Sequence, residues 1–141
     1  MLTYTTSPLR DTLEAIGPVS VELFVRTSSP HFDLFARVCD VDRLNASWNV
    51  CDALVRAAPG RSAQAADQSV RVAFDLWPIG HRFAAGHRVR LQVSSGAHPR
   101  YARNPGTGED PITATALRAV EVELLHDSQH PSVLRLPTAA A

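Results

Sequence analysis

The sequence predicts an all-β protein folded as a β-sandwich, and three observations lead to that fold class. Apolar and polar residues alternate with a period of two in several short segments. Gly and Pro, 7 and 10 of 141 residues, separate those segments. No segment keeps a helical period over three turns. This pattern is typical of two antiparallel sheets packed face to face, and a jelly roll is the version we favour.

Four segments carry the clearest strand pattern, with Val, Leu or Phe at every second position. They are residues 19–25, 70–76, 89–93 and 120–124, and residues 133–136 add a short terminal strand. Gly17-Pro18 is predicted to form the turn before the first of them. Trp77-Pro78 is predicted to end the second, because proline has no N–H for the ladder.

Two further segments, residues 32–41 and 48–56, are apolar but less regular, since Asp33, Asp40 and Asp52 interrupt them. Counting them as strands predicts seven strands in one domain spanning residues 1–141. Residues 61–68 are rich in Ala and Gln but too short for a stable helix, so we expect a loop there. Residues 113–118 are ambiguous, and residues 94–111 form an unusually long loop of a kind that is usually functional, interfacial or disordered.

The composition restricts the classes of partner. The chain has 14 basic residues, all Arg, against 14 acidic residues, and no Arg cluster forms a phosphate-binding stripe. We therefore expect neither nucleic-acid nor membrane binding. No signal peptide or apolar span is apparent, so a cytoplasmic location is expected. Cys39 and Cys51 lie in apolar segments, where free buried thiols are favoured over a disulfide.

The region after residue 85 carries a resemblance to a known family. The run GHRVRLQVSS at residues 86–95, with HPRY at 98–101 and NPGTG at 104–108, resembles the C-terminal domain of X-Pro dipeptidyl-peptidases and of the related cocaine esterases and acyl ester hydrolases. Supporting pieces stand in the same order: YTTSPL at 4–9, GPV at 17–19, DLFAR at 33–37, HD at 126–127, HPS at 130–132 and LP at 136–137. The resemblance covers nearly the whole chain.

The resemblance implies a fold and a role. The fold is a jelly-roll sandwich similar to galactose-binding domains, which packs on an α/β-hydrolase catalytic domain and helps to wall its substrate cleft. Family members carry further strands and the catalytic domain before the Tyr4-Thr5-Thr6 segment, whereas this chain begins with Met1. We therefore expect a truncated sandwich that self-associates through an exposed sheet edge. A second departure is Asp52-Ala53, where the family commonly has Asp-Gly.

The sequence shows no catalytic motif of a serine hydrolase. The nucleophile elbow G-x-S-x-G is absent, and the nearest approach, Ser62 in the run GRSAQ, lacks the second glycine. His126 and His130 are four residues apart, but their segment is predicted to be a strand end and turn, so a metal site is not favoured. We predict no catalytic residue, no metal and no cofactor.

Six polar residues form a candidate domain interface or cleft-facing loop: His87, His98, Arg100, Tyr101, Arg103 and Asn104. The alternative, which we favour, is that these side chains hydrogen-bond loop backbone. Trp48, Trp77 and Tyr101 could form a sugar-stacking platform, but core packing is the preferred interpretation, with Trp77 capping the sandwich.

The leading hypothesis is a non-catalytic accessory domain of a serine hydrolase of the X-Pro dipeptidyl-peptidase or acyl esterase type. One alternative is a stand-alone carbohydrate- or ligand-binding module. The other is an interaction subunit that completes a separately encoded α/β-hydrolase chain.

Overall fold

A computed structural model describes residues 1–57 and 67–138 of the chain. These residues contain eight strands: β1 (Leu2–Thr5), β2 (Leu13–Thr27), β3 (Phe32–Val41), β4 (Ser47–Ala57), β5 (Val70–Phe83), β6 (Arg88–Ser94), β7 (Val122–Leu125) and β8 (Val133–Arg135). No helix in the described ranges is long and apolar enough to cross a membrane.

The strands form two antiparallel sheets. The first sheet has the order β1-β6-β3-β4, and the second has the order β5-β2-β7, with β8 also paired to β2. This arrangement confirms the predicted all-β sandwich. The edge strands β4 and β5 contact each other, which brings the two sheets together along that side.

The core lies between the sheets, where the alternating faces meet. Val19, Val21, Leu23 and Val25 of β2 are at most 1% exposed, and they belong to the same apolar cluster as Leu34, Ala36 and Val38 of β3. Because successive side chains of a strand point to opposite faces, the residues between these positions point outward. Cys39 and Cys51 are buried and free, as predicted, and burial raises the pKa of the Cys51 thiol to about 11.

Two of the predicted strand ends are wrong, and they have one cause. β2 runs through Gly17-Pro18, and β5 runs through Trp77-Pro78. Gly17 pairs with Ile79 and Val19 with Leu76, so Pro18 lies opposite two residues of β5 in a β-bulge. A bulge leaves residues out of the regular ladder, so proline is tolerated there on both strands. The pattern of single strands does not show which prolines will face each other.

Other differences lie at short or polar segments. β1 was missed because four residues with two threonines give too brief a pattern, and only its pairing with β6 defines it. β7 begins at Val122 instead of residue 120. Residues 113–118 form a turn followed by irregular chain. The loop predicted for residues 61–68 falls mostly outside the described residues, as does Ser62.

The bulge requires a backbone conformation at Gly17 that favours glycine. Gly17 has a φ of +130°, and a Cβ there would lie 3.3 Å from the Pro137 Cβ. We expect Gly17→Ala to lower the free energy of unfolding by about 1–3 kcal/mol, because the backbone is strained for any other residue. Urea denaturation measures the change.

Gly80 is the matched control, since it lies in the paired strand and a Cβ there would meet nothing within 4 Å. Gly80→Ala should change the stability by less than about 0.5 kcal/mol. Equal effects of the two substitutions would contradict this account of the bulge.

Candidate functional site

The outward face of the first sheet carries two buried carboxylates. Asp33 on β3 and Asp52 on β4 alternate with core residues and therefore point away from the core, yet each side chain is only 1% exposed. The long loop after β6 covers them. Buried charges require partners, and here the loop and the neighbouring strands supply them.

Asp33 holds the loop through an arginine and an amide. The guanidinium of Arg56 donates two hydrogen bonds to Asp33, of 2.9 and 2.8 Å, and Asn104 donates a third, of 2.7 Å. Arg56 also donates to the Ala102 carbonyl oxygen at 2.8 Å. The hydrogen bonds to Asp33 raise the pKa of Arg56 above its ordinary value. One carboxylate therefore fixes the loop at two points.

Asp52 makes a similar anchor further along the sheet. Arg100 of the loop donates a 2.6 Å hydrogen bond to Asp52, and the Nε atom of Arg37 lies 3.5 Å from the same carboxylate oxygen. The Arg100 guanidinium also lies over the ring of Tyr101, 5.4 Å from its centre, and Tyr101 packs against Phe35 at 6.2 Å. Charge pairs and aromatic contacts together hold the loop on the sheet.

The structure brings five of the six candidate interface residues into this loop and places the sixth elsewhere. Arg100, Tyr101 and Asn104 contact the sheet as described. His98 and Arg103 line a half-open cavity under the loop, together with Tyr101 and Asn104. Asp33 and Asp52, which anchor the loop, were not predicted as site residues, because in the sequence they only interrupt two apolar segments. A charged residue in an otherwise buried strand is the signal that could have found them.

His87, the sixth residue, belongs to a separate cluster at the end of β3. Its Nδ1 atom lies 2.8 Å from Asp40, and the Nε2 atom of His81 lies 2.9 Å from the other oxygen of that carboxylate. Asp40 is buried, with its side chain 9% exposed. This cluster ties the turn before β6 to β3 and β5.

His130, in the turn between β7 and β8, lies between two carboxylates. Its Nδ1 atom is 3.0 Å from Asp127 and its Nε2 atom is 2.9 Å from Asp67, so both ring nitrogens face acceptors. The hydrogen bond with Asp127, followed by the attraction of both carboxylates, raises the pKa of His130. The pKa values of Asp67 and Asp127 are lowered, chiefly by hydrogen bonds from Ser69 and from His130 respectively.

Ser69, Asp67 and His130 meet, but not in the order that nucleophilic catalysis requires. Ser69 donates to the Asp67 carboxylate at 2.7 Å, and His130 contacts that same carboxylate. In a catalytic triad the histidine must contact the serine hydroxyl to remove its proton. Here the carboxylate lies between them, so the arrangement is structural. His126 packs against Tyr4 at 5.5 Å and so has a different partner from His130.

The two tryptophans are both exposed. Trp48 on β4 is 64% exposed and Trp77 on β5 is 63% exposed, so the prediction that they pack in the core is wrong. The bulge turns Trp77 outward, and Ile16, at 69% exposure, lies nearby on β2, where it pairs with Gly80. Trp48 and Trp77 belong to different sheets and therefore share no strand face.

The described residues thus make up a β-sandwich whose polar clusters fix loops and turns, with no serine activated by a histidine among them. Residues 1–135 match the family model described as the X-Pro dipeptidyl-peptidase C-terminal non-catalytic domain, and the chain belongs to this family.

This chain is similar to several larger proteins and aligns with only part of each of them. The chain is 32% identical to a cocaine esterase of Rhodococcus sp. (strain MB1 Bresler), an alignment that covers 97% of this chain and 25% of the esterase. Among solved structures, an alpha-amino acid ester hydrolase aligns with a TM-score of 0.88 and 26% identity over 98% of this chain and 25% of its own. An aminopeptidase from a Thaumarchaeota archaeon aligns at 0.86 and 22% identity, covering 99% of this chain and 26% of its own, and shows the shared fold. The chain therefore spans about a quarter of these proteins.

The Asp33 anchor can be tested by removing its carboxylate. We expect Asp33→Ala to lower the free energy of unfolding by about 2 kcal/mol, because Arg56 and Asn104 lose their acceptor. Amide hydrogen exchange should rise most in residues 97–106. Denaturation and exchange mass spectrometry measure the two effects.

Glu14→Ala is the control, because Glu14 pairs with Arg82 on the exposed surface. Exposed pairs contribute little, so its effect should stay below about 0.5 kcal/mol. Unchanged exchange in the loop of the Asp33 variant would show that the carboxylate does not hold it.

His130 should make stability depend on pH. Its raised pKa means that its stabilising contribution is fully present below the unfolded value of about 6.5 and is lost as the pH rises through the folded value. We expect the stability deficit of His130→Gln to be largest near pH 5 to 6 and to shrink at higher pH. Urea denaturation from about pH 5 to about pH 9 checks this, a range in which Asp67 and Asp127 stay ionised.

His126→Gln is the control, because that exposed histidine has no carboxylate partner among the described residues. His126→Gln should change the free energy of unfolding by less than about 0.5 kcal/mol. A deficit of His130→Gln that is constant or grows with pH would show that the imidazole is not held as a cation.

Proposed function

We propose that this domain supports the α/β-hydrolase catalytic domain of a serine hydrolase that cleaves acyl esters or X-Pro peptides, and that it helps to wall the substrate cleft. The observation that carries the proposal is the match to a non-catalytic domain family over residues 1–135, in a chain that covers about 25% of its relatives. The chemistry belongs to the part of those proteins that this chain does not match. A jelly-roll topology, a likeness to galactose-binding domains and a cytoplasmic location remain part of the same proposal.

The polar clusters support a role as a rigid wall. The loop after β6 is held by buried carboxylates on the sheet, so its polar side chains keep a fixed position. A surface that borders a substrate cleft has to keep its shape, because a loose wall would not exclude water or orient a substrate. The loop is therefore a suitable candidate for the cleft-facing surface.

An apolar patch on the second sheet supports docking of the catalytic domain. Trp77 and Ile16 are more than 60% exposed on the outer face of adjacent strands, and Gly80 beside them leaves open space above the sheet. Exposed aromatic residues in an apolar patch are typical of interfaces. We assign this patch, which we call the bulge patch and define as Ile16, Trp77 and Gly80, to the contact with the α/β-hydrolase domain.

A chimera tests the proposal. The matching quarter of the Rhodococcus cocaine esterase is replaced by this chain, and hydrolysis of an acyl ester is measured for the chimera and for the chain alone. We expect activity from the chimera and none from the chain. Turnover by the chain alone, abolished by changing one serine, would contradict a non-catalytic role.

The bulge patch is tested in the same chimera. Trp77→Ser should lower the activity and the thermal stability of the catalytic part, because the interface loses its largest apolar side chain. Trp48→Ser is the matched control, since it removes an equally exposed tryptophan outside the patch. Equal losses from both substitutions would show that the patch is not the contact surface.

The alternative of a carbohydrate-binding module receives less support. Sugar-binding strips use aromatic residues side by side on one face, whereas the exposed tryptophans lie on different sheets. An interaction subunit acting on a separate catalytic chain would use the same bulge patch. Activity restored when this chain is added to the shortened esterase as a separate polypeptide would favour that alternative.

A further inference from the structure

A half-open cavity of about 380 Å³ lies under the loop after β6, in a part of the molecule that the loop anchors do not fill. The start of β3, the loop itself and the segment before β7 line it. Its volume falls within the range of small-molecule sites, which begins at about 300 Å³. The cavity can therefore hold a compact ligand.

The charge of the cavity is positive. Arg103 and Arg118 both line it and are exposed residues, and neither side chain has a carboxylate or hydrogen-bond partner in the part of the chain that the structure describes. Asp33 is the acidic group among the lining residues, but Arg56 and Asn104 already occupy its oxygens. Two arginine charges are thus left for an anion, and a guanidinium matches a carboxylate in shape and charge.

The same cavity also has an apolar wall. Phe32 is 4% exposed, and Val120 and Val122 are half-buried, so their hydrocarbon groups form an apolar wall. An inorganic anion would leave this wall in contact with water, and a neutral sugar would form no charge-assisted hydrogen bond with the arginines. A ligand with a hydrocarbon part and one carboxylate satisfies both.

We propose that this cavity is a binding site for small organic carboxylates, with Arg103 and Arg118 holding the carboxylate and Val120 and Val122 contacting the hydrocarbon part. The inference does not depend on the proposed support of a catalytic domain, because it concerns a ligand of the sandwich alone.

The test compares pentanoate with pentanamide, a neutral molecule of nearly the same shape. Both are titrated into the purified chain and followed by the backbone amide NMR signals of residues 95–106 and 118–122. Only pentanoate can form charge-assisted hydrogen bonds with the arginines, so we expect it to bind at least about tenfold more tightly than pentanamide. Equal binding of the two, or no shift with either, would overturn the proposal.

Two arginine variants and one control variant test which side chains bind the carboxylate. Arg103→Gln and Arg118→Gln should each weaken pentanoate about tenfold and leave pentanamide unchanged. Arg10→Gln removes the same charge from an exposed residue outside the cavity and should change the affinity less than about twofold. Sulfate that competes as tightly as pentanoate would mean a site for inorganic anions and would overturn the assignment to organic carboxylates.

Discussion

The pairing of β2 with three other strands is the constraint on which the second sheet depends. This strand runs for 15 residues and pairs with β5 along one edge, while β7 and β8 share its other edge. β7 and β8 have only four and three residues, too few to persist without a long partner. Their positions therefore follow from residues 20–27 of β2, and a break at Pro18 would instead separate residues 13–17, which pair with β5, from the rest of the strand. The bulge keeps the strand continuous where proline would otherwise end it.

A second constraint acts on the first sheet, where charge is buried on the outward face. Asp33 and Asp52 cost free energy unless they are paired, and the pairing groups come from a loop far along the chain. The same bonds satisfy the carboxylates and order the loop. An apolar outward face would not have fixed the loop in one position, because apolar contacts do not specify direction. The polar residues of the loop thus have structural partners before any ligand or neighbouring domain is considered.

These constraints also explain how several histidines are placed in the described part of the chain. Three of its six histidines contact carboxylates: His81 and His87 contact Asp40, and His130 contacts Asp67 and Asp127. None of these pairs activates a serine among the described residues. The bulge patch and the two arginines of the cavity have no such partner in the described part of the chain. They face outward, where a neighbouring domain or a ligand can reach them.

The sequence by itself determined the sandwich, most of its strands and the family. The period of two at residues 19–25 and 70–76 is a local property of the chain, and the run at 86–95 has enough fixed positions to be specific. The tertiary structure alone decided that Pro18 and Pro78 share one bulge, that Trp77 points outward, and that Asp33 meets Asn104. Each of these depends on residues far apart in the chain that meet only after the strands pair, and no local pattern encodes such a meeting.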